Sequence, residues 1–455
     1  PEKKQPIISK IYLLIMIKNS ILNIINTTTR IKPDELKATV LSFIFVFLLM
    51  TAYFILRPVR DAMSSDWNDT ELSWLWTSTF FFSFVAVSLY GEIISRIKLN
   101  YVVPGVYLFF ATSFFLFNFL TTSIQDADIV NKFFYVWLSV FSLFHVSVFW
   151  SFISGIFSQE QGPRLFSFIA SGASIGAILG PSIPIIFANQ IDTMNFLIIA
   201  GFILLIPIPI IRFLEKFKFS DDWSQSNLNR QKNNAINDII DRDFLSGFKV
   251  LMKDPFLVSI ALFILFYVVM NTFVYFELRK LLVEFDRETR TQIWASIDLI
   301  VNILAIVTAI FITNRMTNRL GMSATLAFIP ILMILGWLVV AVSPVLLFLI
   351  GLQILRRAGN YAITKPGREM LFTLVNNDVR YKAKPVIDIV VYRGGDMLTA
   401  WFYTLLTASF GLGLTGISVF ASVVAAFWAY TGFYLGRKYN STQKKYRDVG
   451  VIYDE

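Results

Sequence analysis

The chain has 455 residues, of which 56% are hydrophobic and only 16% charged, with 46 Phe and 10 Trp. A soluble chain of this length would carry roughly 25% charge, and apolar runs of roughly 18 residues or more recur from end to end, which excludes an ordinary soluble fold. Cysteine is absent and His145 is the sole histidine, so disulfides, thiolate chemistry and a His-rich metal site are excluded. The net charge of +9 sits mostly in loops of one parity, which points to membrane orientation and not to nucleic acid.

The segment Pro1–Leu36 contains a short apolar run, Ile11–Ile17, between Lys10 and Lys18, with no small-residue cleavage site after it. It reads as an amphipathic helix lying at the membrane interface; a disordered tail is the alternative. Spans are then predicted at 38–60, 72–95, 101–121, 132–157, 165–188, 194–213, 256–278, 292–313, 321–342, 344–372, 384–408 and 413–436. Each can cross about 30 Å of hydrocarbon at about 1.5 Å per residue, and in lipid they must be helices to satisfy their own backbone.

The chain therefore reads as an all-α membrane protein of about twelve transmembrane helices. It divides into an interfacial segment (1–37), a six-helix bundle (38–214), a hydrophilic linker (215–255), a second six-helix bundle (256–437) and a tail (438–455). Even-numbered loops and both tails hold most of the 40 Lys and Arg residues, which predicts cytoplasmic termini. Lys132, Arg279, Lys280, Arg287 and Arg290 are the exceptions, and four of the five fall in the loop between spans seven and eight. So concentrated an exception reads as functional.

A charge at bilayer depth costs at least about 2.5 kcal/mol, so charges inside spans need a reason. In span one, Arg57 and Arg60 are three apart and share a helix face beside Pro58. They suit bidentate capture of phosphate or carboxylate oxygens, or else form an interfacial pair in which Arg60 bridges Asp61. Span ten brings Lys365, Arg368 and Glu369 onto one face around Pro366 and Gly367. In span eleven, Arg393 and Asp396 flank Gly394 and Gly395. These groups line a cavity or form internal ion pairs.

Asp298 stands among apolar neighbours in span eight. It is a proton-coupling candidate or the partner of an Arg on another span. His145 reads as a hydrogen-bonded bundle residue before a proton relay. Among the aromatics, Trp150 is the choice to stack on a substrate ring. The run Ala170–Pro181 suits close helix packing, and without Gly-Lys-Ser/Thr it is not a phosphate loop.

The six-plus-six layout resembles the major facilitator architecture. Asn314–Gly321 (NRMTNRLG) and the Gly91, Glu92, Arg96 and Lys98 loop look like degraded copies of its Gly-X-X-X-Asp-Arg-X-Gly-Arg motif. Three stretches resemble the ATP/ADP-antiporter type of nucleotide transporter found in plastids and obligate intracellular bacteria. They are LRPVRDAM (Leu56–Met63), VFWSFISGIFSQEQGPRLF (Val148–Phe166) and the longest, Ala362–Asp396.

The resemblance implies a facilitator-type fold and exchange of nucleotides. It puts Arg60 and Arg368 where that family has lysines, and matches Glu369, Met370, Lys382, Lys384 and Asp388. The sequence departs from the pattern at both lysines, at Lys365, where the family has Asp, and in Tyr135–Phe141, which lacks the family's glutamate. A divergent bacterial branch is implied.

The resulting expectation is a secondary transporter of the bacterial inner membrane. It would move a small anionic, phosphorylated, nucleotide-like solute by alternating access, as an exchanger. Arg57, Arg60, Arg279, Lys365, Arg368, Arg393 and Trp150 would bind substrate, and Asp61, Asp298, Glu369, Asp388 and Asp396 would serve coupling or ion pairing. A small anionic solute and membrane lipids are the expected partners, with no nucleic acid, no cofactor and no metal, and the chain is expected to act as a monomer. The alternatives are a proton-coupled exporter of an organic anion or siderophore-like metabolite, and a non-transporting partner or sensor. A membrane enzyme stands last, for want of a metal-ligand cluster or an evident nucleophile–base pair.

Overall fold

The computed structural model describes residues 31–97, 99–158, 160–215, 243–375, 379, 383–384 and 386–448. The interfacial helix expected around Ile11–Ile17, the middle of the linker, Lys98 and Lys382 lie outside them. Every regular element among the described residues is helical. In chain order these are α1 (Pro33–Met63), α2 (Asp69–Arg96), α3 (Leu99–Ser123), α4 (Asp128–Ile153), α5 (Gly162–Phe187), α6 (Phe196–Leu205) and α7 (Pro207–Leu214). There follow α8 (Asp243–Lys253), α9 (Pro255–Leu281), α10 (Arg287–Thr308), α11 (Asn314–Val342), α12 (Leu346–Gly359), α13 (Lys365–Leu371), α14 (Gly395–Thr404) and α15 (Leu414–Asp448).

Ten of the helical segments are long and apolar enough to cross a membrane. The other two predicted spans, ten and eleven, are interrupted helices. The π-helical turn Asn360–Thr364 joins α12 to α13, and Val386–Gly394 leads into α14. Each of the two carries charges that depress its hydropathy. α15 runs to Asp448, so the expected tail from 438 begins inside this helix.

Helix starts follow capping chemistry. Asn68 and Glu71 form a reciprocal capping box at the head of α2, each bond 2.9 Å long. Asp254 accepts from Phe256 N at 2.8 Å ahead of Pro255. Asp286, which caps α10, is held below the usual carboxylate range by the Thr289 backbone N–H. At α1, Glu35 is buried and reaches Arg164 of α5 at 2.8 Å.

The small-residue run of α5 packs on α1. A Cβ at Gly172 would lie 2.6 Å from the Phe43 carbonyl oxygen, and one at Gly180 would lie 2.7 Å from Phe54 Cβ. Gly176 meets the Phe47 carbonyl just as closely. In the second half, Gly432 and Gly436 of α15 lie against the α11 backbone in the same way. The two bundles meet where α10 packs on α1 and α5, and where α14 packs on α2. Phe81, Phe82, Phe84, Ile310 and Phe311 point away from the seam and are exposed, as lipid-facing side chains are.

Candidate functional site

A cavity of about 250 Å³ lies at the seam between the bundles. α1 contributes Arg57, Arg60 and Asp61, α4 contributes Tyr135, Ser139 and Ser142, and α12 contributes Gln353, Arg356 and Arg357. Arg393 and Asp396 come from the Val386–Gly394 turn and the start of α14. Six tyrosines also line it: Tyr53, Tyr135, Tyr267, Tyr275, Tyr361 and Tyr392.

Its ion pairs are unevenly shared. Arg60 holds Asp61 at 2.6 Å, and its Nη1 donates to Ser139 Oγ at 3.2 Å. Arg57 faces Asp61 at 3.6 Å and Asp298 of α10 at 3.8 Å. Arg357 pairs with Asp298 at 2.5 Å, both fully buried. Arg356 is 1% exposed yet meets only neutral acceptors, the Tyr267 hydroxyl at 3.0 Å and Gln353 Oε1 at 2.7 Å. Arg393 makes no ion pair among the described residues, Asp396 included. Five guanidiniums thus surround the cavity against three carboxylates.

A second cavity of about 490 Å³ shares Tyr267, Tyr361, Tyr392 and Arg393 with the first. It extends toward the face on which α1 begins and α15 ends, here termed the termini face. Lys365, Arg368, Glu369, Lys384 and Asp388 line it. Arg368 lies 2.7 Å from Glu369 and 3.3 Å from Asp388, and Lys384 lies 2.6 Å from Glu369. Lys365 is exposed and makes no ion pair among the described residues.

The opposite face is latched across the seam. Asp66 holds Arg287 and Arg290, each at 2.6 Å. Asp69 pairs with Arg279 and with Lys280, the latter at 2.8 Å, and accepts from Thr407 at 2.9 Å. Arg279 also donates to the Trp67 carbonyl at 2.6 Å, and Ser65 Oγ donates back to the Arg279 carbonyl at 2.9 Å. Of the five basic residues that break the loop-charge pattern, the four between spans seven and eight belong to this latch, while Lys132 pairs within the first bundle with Glu71 and Asp128.

Two residues expected to contact substrate are therefore elsewhere. Arg279 is committed to Asp69 and backbone carbonyls because it sits at the last turn of α9, beyond the cavity. Trp150 packs between Phe149 and Phe166, with ring centroids 5.2 and 5.5 Å away, inside the first bundle. Arg57, Arg60, Arg393, Asp61 and Asp396 line the central cavity, and Asp298 stands behind it as an arginine partner. Lys365, Arg368, Glu369 and Asp388 line the second cavity. His145 is buried, with Nδ1 3.2 Å from the Phe141 carbonyl, and stacks on Tyr53 at 4.6 Å.

Arg356 and Arg357 line the cavity without being among the expected site residues. Adjacent arginines in an apolar helix were the available signal. The tyrosine lining had no local signal, since its members come from several helices.

Residues 42–375 match the family described as the Major Facilitator Superfamily. No curated protein matches the chain. Among solved structures it is similar to the nucleoside transporter NupG, at 13% identity over 89% of this chain and 98% of that one, with a TM-score of 0.61. It is also similar to a bacterial homologue of the human lysosomal transporter Spinster in an inward-facing, unoccupied conformation (11% identity; 90% and 98% covered; TM-score 0.56). A D-xylose–proton symporter is comparable (12% identity; 86% and 96% covered; TM-score 0.56). At such identities the likeness is one of fold.

Proposed function

The chain belongs to the Major Facilitator Superfamily and is a membrane transporter, and we propose that it carries a small anionic, phosphorylated, nucleotide-like solute by exchange. The observation that carries this reading is the cationic surplus of the seam cavity, five arginines around three carboxylates. Buried guanidiniums need counter-charge, and a planar fork suits phosphate oxygens. The six tyrosines add ring faces for a ringed substrate.

In this reading the latch holds the far face shut while the second cavity leads to the termini face. Alternating access then requires the Asp66 and Asp69 pairs to break as the bundles rock. An empty cationic cavity is costly to reorient and a loaded one is cheaper, which favours exchange of one anion for another. The basic loops support cytoplasmic termini in a bacterial inner membrane, and the chain works as a monomer in the lipid.

The test is uptake into proteoliposomes preloaded with nucleotides. Accelerated uptake of labelled nucleotide by internal nucleotide, lost in Arg60→Gln and Arg57→Gln, is expected. Unchanged uptake in both variants, or none from any phosphorylated anion, defeats the reading.

A second reading, proton-coupled export of an organic anion, draws support from Asp396. It lines the cavity, and its buried Oδ1 has no hydrogen-bond partner among the described residues. Asp298 is a poorer proton site because Arg357 and Arg57 hold it. Transport driven by a pH gradient without counter-substrate favours this reading.

A further inference from the structure

The arginines of the seam cavity differ in what already neutralises them. The two from the first bundle, Arg57 and Arg60, both lie within ion-pair distance of Asp61. In the second bundle, Arg357 has Asp298 at 2.5 Å. Arg356 and Arg393 remain. Arg356 is 1% exposed, its acceptors are a tyrosine hydroxyl and an amide oxygen, and its Nε has no partner. Arg393 makes no ion pair among the described residues. Both line the same cavity and stand within electrostatic reach of Asp396.

We infer that the cavity takes a compact ring-bearing phosphate monoester, whose dianionic phosphate docks on Arg356 and Arg393. This rests on the anion-transport reading and narrows its substrate class. The formal surplus of five guanidiniums over three carboxylates is two charges, and a phosphate monoester carries about −1.5 to −2 at neutral pH. A diphosphate or triphosphate ester brings more charge than the surplus neutralises.

Size agrees. At about 250 Å³ the cavity is smaller than the roughly 300–1,000 Å³ usual for drug-sized ligands. Aromatic surface lies beside the docking arginines. Tyr267 accepts from Arg356 and faces its guanidinium at 5.5 Å, and Tyr392 lies 6.2 Å from Tyr267. A ring ester-linked to the phosphate therefore meets tyrosine faces where the phosphate meets guanidinium.

The test is ligand-induced thermal stabilisation of purified full-length protein, titrated with phenyl phosphate, AMP, ADP, ATP, benzoate and adenosine. AMP and phenyl phosphate are expected to bind at least tenfold tighter than ATP, benzoate and adenosine. Arg393→Gln and the milder Arg356→Lys are expected to weaken AMP at least tenfold while the proteins remain monodisperse.

Tighter binding of ADP or ATP than of AMP overturns the charge match. AMP affinity unchanged in both variants overturns the docking assignment. Either result leaves the anion-transport reading standing. Failure of every anion in the series to stabilise the parent protein sinks that reading, and this inference with it.

Discussion

Arg57 of the first bundle and Asp298 of the second face each other across the seam at 3.8 Å, beside the tighter 2.5 Å pair that Asp298 makes with Arg357. One carboxylate therefore serves a guanidinium from each side. Removing it leaves Arg357 buried without counter-charge, and breaking a buried pair this way costs about 3–5 kcal/mol. Asp298→Asn is expected to unfold at markedly lower temperature in detergent. Arg57→Gln is expected to do so less, since Asp298 keeps Arg357 and Asp61 keeps Arg60. Equal thermal stability of Asp298→Asn and the parent would refute the assignment of Asp298 as a structural counter-ion.

The latch makes a prediction about access. The chain has no cysteine, so a single introduced thiol reports without background. Ser73 is buried and hydrogen-bonded to Thr404 across the seam at 2.8 Å. In Ser73→Cys, a thiol reagent applied from the far face should react slowly. Adding Asp69→Asn removes the pairing of Arg279 and Lys280, and a bias of about 1–2 kcal/mol toward opening corresponds to roughly a 5–30-fold change. Labelling should quicken by that factor. An unaltered rate means that these pairs do not hold the face shut.

Orientation is checked with the same tool. Ser441→Cys in the exposed last turns of α15 should react only from the cytoplasmic side, and Gln125→Cys in the loop before α4 only from the other. The reverse pattern overturns the assignment drawn from basic loops.

Packing of α5 on α1 gives a prediction independent of charge. Gly180→Val places a branched side chain where Phe54 and the Thr51 carbonyl already sit, within 2.7 and 2.8 Å of a Cβ. Overpacking of this kind costs about 1–3 kcal/mol. Gly105→Ala, in open space on α3, should be silent in the same thermal assay.

The helical crossings and the glycine seam were legible because long apolar runs and small-residue spacing act locally along one helix. The position of Arg57, Arg60 and Arg393 was also legible, since a charge in an apolar run must face something polar. Arg279 was misread because depth at a helix end depends on where the neighbouring loop folds, and Asp66 and Asp69 draw it to the far face. Trp150 was misread because an aromatic on α4 fits either a cavity or a packed face. Arg356, whose partners come from α9 and its own helix, could be told from Arg357 only in three dimensions. The pairing of Arg357 with Asp298 joins residues 59 positions apart.

Every π-helical segment among the described residues lies in the second bundle: Ala309–Thr313, Asn360–Thr364, Val386–Gly394 and Leu405–Ser409. Wide turns of this kind are weaker links in a helix than regular α turns. Among the described residues, wide turns thus articulate the second half alone, whereas the first half is interrupted between Leu205 and Pro207 and carries prolines inside α1, α3 and α5. Backbone amides of 360–364 and 386–394 should trade hydrogen for deuterium sooner than those of the middle of α1, which makes the cavity wall built by Tyr361 and Arg393 the one that yields first.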